Sequence, residues 1–210
     1  MDLQRIRELA YEHLGNRKAH LEREKGFIYY HGQRVARIAV TLRKMILPDE
    51  DSRDEILTVA AYFHDIAKGI EPHNEYGAVL AREVLKDYCD PQQLEEIAQL
   101  IHLHKIFDKS SKQPELAKIL QDADILDHFG TIEIWMNFQY SAFLDEPIEN
   151  SVNFYQSEFD SHAGRIGKLL NYELSRQIYR EKIAFVKSFA DRMKIESEGG
   201  IYCFDSICRG

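Results

Sequence analysis

Two imidazoles and two carboxylates stand where a folded chain could bring them together in its interior: His31, His64, Asp65 and Asp124. His31 lies four residues before Val35 and seven before Ile38, which puts it on the apolar stripe of a helix. His64 and Asp65 follow VAAYF, near the end of the most apolar helical segment in the sequence. An ionised aspartate in such a segment is costly unless it is paired or holds a cation. In the segment that ends ILQDADILDHFG, Leu116, Leu120 and Ala123 define the inward face. At about 100° per residue, Asp124 falls at the edge of that face, Asp127 on it and Asp122 well away. Asp124 is thus the better ligand and Asp127 a residue that could orient one, whereas Asp122 is expected to be a solvated surface carboxylate. One inward histidine alone is more often a hydrogen-bonded core residue. A buried His-Asp pair with a second inward histidine on another helix favours a metal. The donor set suits a divalent ion such as Mn, Fe, Co, Ni or Zn, with Mg also admitted. It leaves positions open for water and a phosphate oxygen, so the expected chemistry is acidification of water and polarisation of a phosphoryl group.

The elements that must position these groups read as helices almost throughout. The first spans residue 2 to about 24, with Gly26 as a break, and the next ends at Pro48. Ser52 and Glu55 fit a capping box opening EILTVAAYFHDIAK, which Gly69 closes. A helix at about 74–88 follows. Asp90-Pro91 then opens one running to about 105, and Pro114 starts one reaching about 130. Residues 145–160 read as loop, a last long helix covers about 164–195, and the tail GGIYCFDSICRG is left unassigned. No alternating strand pattern appears. The expectation is all-α: a single-domain helical bundle over residues 1–210.

Composition narrows the partners. Acidic residues outnumber basic ones, 35 to 27, for a formal charge of -8, and no basic stripe of the kind that neutralises a nucleic-acid backbone is present. Large nucleic acid is therefore not expected, and a small anion needs only a local cation cluster or a metal. The cysteines Cys89, Cys203 and Cys208 form no CxxC pair, which suits a reducing, cytoplasmic setting. No run approaches the roughly 20 apolar residues of a membrane span. The oligomeric state stays open; the partly apolar tail, Ile201 to Ile207, could pack on a second copy in a homodimer or on its own bundle.

The ordered set HGQRV at His31, AAYFHDIAKG around His64-Asp65, and ADIL ending in the helix of Asp124 resembles the HD-domain superfamily of metal-dependent phosphohydrolases. The spacings resemble it too: the His-Asp pair comes about 30 residues after the first histidine, and the last aspartate about 60 further on. The similarity covers roughly residues 25–135 and continues more weakly into the final helix. It implies a helical bundle with His31, His64, Asp65 and Asp124 as metal ligands, the same four reached from the helix faces. Many members carry two further histidines that support a second metal. Here His73, His102 and His104 lie in that interval, and His104 is nearer the inward side of its helix than His102. A binuclear site would use His73 and His104 with Asp65 bridging; otherwise His73 caps a helix or the two touch substrate phosphate. No GYP triplet follows, so the cyclic-di-GMP phosphodiesterase subgroup is not expected.

Around these, Lys68 lies one turn beyond His64 and could neutralise phosphate or orient water, although a helix-end lysine explains it as well. Asp65 and Lys68 are the expected catalytic pair. Glu75 is a base or a supporting partner on thin grounds, and Arg34 a phosphate contact or an ion pair. For His128 and Trp135 core packing is favoured over lining a pocket. His13, His20 and His162 are expected at the surface. The cations Arg165, Lys168, Arg176, Arg180 and Lys182 read as a solvated face, and Tyr172, Tyr179, Phe185 and Phe189 as packing. The expected activity is hydrolysis of a phosphate ester or anhydride in a small phosphorylated substrate, a nucleotide above all. Its rivals are a di-iron oxygenase on a similar fold and a non-catalytic nucleotide-binding module.

Overall fold

The computed structural model describes residues 1–108 and 112–202. Among them the apolar periodicity becomes ten α-helices and no strand: α1 (Leu3–Leu14), α2 (Phe27–Ile46), α3 (Asp54–Phe63), α4 (His73–Leu85), α5 (Pro91–Leu103), α6 (Glu115–Asp127), α7 (Thr131–Phe143), α8 (Ile148–Ser157), α9 (Phe159–Gly167) and α10 (Glu173–Ser197). The all-α class follows.

Helix α3 sits at the centre because its sequence leaves no polar side to face water. Leu57, Val59, Ala60, Ala61 and Phe63 are all fully buried, as expected of a helix apolar all round. It packs against α2 on one flank and α5 on another; α2 in turn packs on α6, and α4 on α5. Gly32 permits the α2–α3 approach: a Cβ there would lie 3.0 Å from the carbonyl oxygens of Ala61 and Tyr62. This close crossing sets His31 beside the end of α3. Gly26 opens α2 at φ +79°, where a Cβ would come within 2.5 Å of Gly15 O. The far corner is tied by Arg43, 2 % exposed. Its guanidinium donates to both oxygens of Asp54 at 2.7 Å and to the carbonyls of Leu47 and Pro48.

Several expected boundaries move, each for a local reason. α1 stops at Leu14, and residues 15–26 form irregular chain that carries Arg17 to the carbonyls of Ile66 and Lys68. Ser52 caps nothing: Asp51–Arg53 is a 3-10 turn ahead of α3. α3 itself ends at Phe63, not near Gly69, and single-turn bonds follow, with Ile66 N to Phe63 O and Lys68 N to Asp65 O. The Asp90-Pro91 start is as expected, with a full capping box to Gln93. The expected loop at 145–160 is instead α8 and the first residues of α9, and the long last helix begins at Glu173.

Asp122 overturns its expectation. It is fully buried, and its carboxylate accepts from Asn171 N at 2.8 Å, Tyr172 N at 3.1 Å and Asn171 Nδ2 at 2.9 Å. It thereby anchors the chain entering α10. The helix wheel put it away from α2 and α3 correctly, but the C-terminal segment covers that side. Cys203, Cys208 and most of the tail lie outside the described residues, and Ile201 is exposed. Among the described residues no helix is long and apolar enough to cross a membrane.

Candidate metal centre

Five segments deliver the site: α2 brings His31, the turn after α3 His64 and Asp65, the first residue of α4 His73, the end of α5 His104, and α6 Asp124. All six are buried. His31 Nε2 lies 3.1 Å from His64 Nε2 and 3.2 Å from Asp124 Oδ1. His64 Nε2 is 3.8 Å from Asp65 Oδ2 and 3.8 Å from Asp124 Oδ1. On the other side of Asp65, its Oδ1 lies 3.3 Å from His73 Nε2 and 3.6 Å from His104 Nε2. Four overlapping groups are close enough to share an ion: His31, His64 and Asp65; His64, His104 and Asp124; His31, Asp124 and His128; and Asp65, His73 and His104. The six donors singled out in the sequence meet at one place, while His102 stays outside, half-buried, its carbonyl accepting from Asn74.

The rings are oriented from behind. His31 Nδ1 faces Asp127 Oδ2 at 2.7 Å, and Arg34 holds both oxygens of Asp127 at 2.8 and 3.0 Å. His64 Nδ1 donates to Ala61 O at 2.7 Å, and His104 Nδ1 to Ile101 O at 2.6 Å. His73 Nδ1 meets the Glu71 carboxylate at 2.9 Å. Each inner Nε2 is thereby left for another partner, which is how metal-ligating histidines are usually braced. His73 Nε2, His104 Nε2 and Asp124 Oδ1 are buried without any hydrogen-bond partner. Buried polar atoms are rarely left unpaired. Donors about 2.1 Å from a shared cation stand roughly 3.0–3.4 Å apart, close to the spacings found here. The residues present fit a divalent ion.

Electrostatics agree. Burial works against ionising Asp65, yet His64, His104 and Lys68 hold its carboxyl well below the usual range. Burial opposes Asp124 in the same way and is overcome by Lys105, His128 and His31. Burial pulls His64 down to about 3, so its ring is neutral. For His31, burial is outweighed by Asp124 and Asp127, which raise it to about 9, so without a cation the ring carries a proton that the ion must displace to bind.

Two further side chains stand at the centre, of which only Lys105 has no signal in the sequence. Lys105 reaches Asp124 Oδ2 at 3.1 Å from the turn after α5; nothing in the helical periodicity points to a residue beyond a helix end. His128 is no core-packing residue: its Nδ1 lies 3.4 Å from Asp124 Oδ1 and its ring centroid 4.6 Å from that of His31. Its place one turn after Asp124 was the available signal. Lys68 Nζ stands 3.3 Å from Asp65 Oδ2. Glu75 and Trp135 are exposed, so Trp135 joins neither pocket nor core. Arg176 and Arg180 pair with Glu173, whereas Lys182 donates to Phe129 O. Tyr179 is buried against Phe129, but Phe185 is exposed.

No curated protein matches the chain. Its fold is similar to that of Bacillus subtilis YpgQ in complex with ADP, at TM-score 0.63 and 18% identity over 93% of this chain and 98% of that one. It is similar also to an HD-superfamily hydrolase from Bacillus thuringiensis, at 0.66 and 21% over 93% and 96%. A Lactobacillus plantarum protein aligns at 0.63 and 22% over 94% and 97%. Residues 28–128 match the HD domain family, and that span contains all six clustered donors together with Lys68, Lys105 and Asp127. The chain therefore carries an HD domain over residues 28–128.

Proposed function

We propose that this protein is a metal-dependent phosphohydrolase acting on a phosphate ester or anhydride of a small nucleotide. The observation that carries this reading is the convergence of buried donors on one centre, three of them without a hydrogen-bond partner. His31, His64, Asp65 and Asp124 would hold one divalent ion, of the Mn, Fe, Co, Ni, Mg or Zn group, and His73 and His104 with Asp65 a second. Such an ion supplies Lewis acidity, adding positive charge near the phosphoryl oxygens and making water a better nucleophile at neutral pH.

The chain's own groups do the rest. Asp65, held ionised, accepts a hydrogen bond from the attacking water and orients it toward phosphorus, and the proton released as water adds passes to solvent. Lys68, 3.3 Å from Asp65, and Lys105, 3.1 Å from Asp124, face the charge that grows on the phosphoryl oxygens as the bond to the leaving oxygen breaks. The half-exposed His128 stands beside Asp124 and can return a proton to that leaving oxygen. Support for a nucleotide is twofold: the two lysines suit an anion, and the similar fold of YpgQ is known in complex with ADP.

The test is phosphate release from a panel of nucleotides and phosphate esters with Mn, run beside elemental analysis of wild type and Asp65→Ala. Stoichiometric metal and turnover, both lost in the variant, are expected. Metal without turnover of any phosphate compound would overturn the reading. The six-donor cluster also suits a di-iron oxygenase; copurifying iron with oxygen consumption, and no phosphate release, would favour that instead.

A further inference from the structure

Beside the metal centre lies a cavity of about 660 Å³ between α7, α8 and the start of α9, within the range of about 300–1,000 Å³ typical of small-ligand pockets. His128 belongs to both: it lines the cavity and stands 3.4 Å from Asp124. We propose that this cavity holds the nucleobase of the substrate, with the Asn137 side-chain amide reading its polar edge. The inference rests on the nucleotide reading above and adds the residue that recognises the base.

Charge excludes the alternative that phosphates bind here. Glu146 and Glu158 line the cavity against a single cation, Arg23, whose Nη1 is already donating to Met136 O at 2.7 Å. A polyphosphate would meet net negative charge, so the anionic end belongs with Lys68 and Lys105 and the neutral end here. The walls suit a flat ring. Phe129, Tyr140 and Phe154 line the space, and aromatic faces stack on any base.

Asn137 supplies the polar contact. Its amide makes no hydrogen bond within the protein, and its Oδ1 is buried without a partner. An unpaired amide in a cavity wall is unusual in a folded protein. An amide carries donor and acceptor side by side and matches the edge of a base, which presents the same pair. Glu133 is turned the other way: its Oε2 accepts from Tyr155 at 3.1 Å, which fixes the wall one turn before Asn137.

The experiment separates base binding from hydrolysis. Adenosine, guanosine, cytidine and uridine, which carry no phosphate, are titrated into metal-free protein with EDTA present, and binding is followed by ligand-observed NMR. Asn137→Ala removes the amide. Asn153→Trp blocks the cavity from an exposed position on α8 and leaves the interior untouched. At least one nucleoside is expected to bind wild type. Asn137→Ala should weaken it about tenfold, the worth of a buried hydrogen bond, and Asn153→Trp should abolish it. In turnover with the corresponding nucleotides, the spread of kcat/KM among the four bases should narrow in Asn137→Ala. No nucleoside binding to wild type, or binding and base discrimination that both variants retain, overturns the inference, even if nucleotides are hydrolysed. Variant-sensitive nucleoside binding with no phosphate compound turned over supports it and sinks the phosphohydrolase reading instead.

Discussion

His31 and His64 are 33 residues apart in the chain, and their Nε2 atoms lie 3.1 Å apart. Neither ring is free to turn away. His31 is pinned through Nδ1 to Asp127, and His64 through Nδ1 to Ala61 O, each at 2.7 Å. The approach depends on Gly32, whose lack of a side chain lets α2 sit on the last turn of α3. Two rings fixed from behind and aimed at one point are pre-organised to share a cation, and little ordering entropy remains to be lost when it binds.

Removing one ring should remove that cation. Wild type is expected to bind Mn in calorimetry and to gain about 2.7 kcal/mol of unfolding free energy at one hundred times the dissociation constant. His64→Ala should show neither effect, while His13→Ala, at an exposed position of α1, should behave as wild type. An unaltered Mn isotherm in His64→Ala would place the ion elsewhere.

Asp127 tests the bracing. It touches His31 at 2.7 Å and Arg34 at 2.8 and 3.0 Å. Asp127→Asn keeps the size and loses the charge that orients the ring. Metal affinity should fall 10- to 100-fold, the usual cost of such a partner, as read by chelator competition. Equal affinity in the two proteins would make Asp127 a partner of Arg34 alone.

Lys105 should matter to turnover more than to metal. Lys105→Met removes the cation 3.1 Å from Asp124 Oδ2 and leaves all six donors in place. A loss of about 100-fold in kcat is expected, as for removal of one group that faces transition-state charge, with metal content by elemental analysis retained. Loss of the metal instead would assign Lys105 to holding Asp124 in position.

Far from the centre, Arg43 and Asp54 test what keeps α2 on α3. Breaking a buried pair strands the remaining charge; Arg43→Met leaves Asp54, whose carboxylate is a quarter exposed and can turn to water, so it should lower the midpoint of urea unfolding only modestly. Asp54→Asn instead strands the guanidinium of Arg43, 2 % exposed, and should cost more, because that charge has little water to turn to. Equal and small losses would mean that the pair is dispensable and that the apolar contacts of Leu42 and Leu57 hold the crossing.

How far the sequence could be read follows from where regular periodicity holds. His31 and Asp124 sit within unbroken helices, so about 100° per residue located them correctly against α3. His104 was separated from His102 by the same rule. His64 and Asp65 stand out by the apolar context before them and not by a helix wheel, and they lie in a turn that continues past α3, beside His31. Lys105 stands just past a helix, where no periodicity applies. Asp122 failed for a different reason: its burial is made by Asn171 and Tyr172, some 50 residues away, and a wheel drawn on one helix carries no information about what covers its outer side. α8 leaves little trace in the sequence because only Ser151 and Tyr155 turn inward, too few for an apolar stripe.

Glu133 gives the protein a pH dependence of its own. It is 9 % exposed on α7, and Tyr155 is its hydrogen-bond partner. Burial pushes its carboxyl from 4.5 up to about 7, more than the Tyr155 hydroxyl pulls it down. The folded protein therefore keeps a proton that the unfolded chain has already released between those values. Stability from this group is fully present below pH 4.5 and is lost as pH rises through 7. At about 1.4 kcal/mol per pH unit the full difference is roughly 3 kcal/mol. Glu133→Gln stays neutral throughout and still accepts from Tyr155. Its unfolding free energy in urea, compared with wild type at pH 5 and pH 8, should improve on wild type by about 2–3 kcal/mol more at the higher pH. A difference that is flat across this range would show that Glu133 ionises in the folded protein without cost, and that the cavity wall around it is wetter than its burial implies.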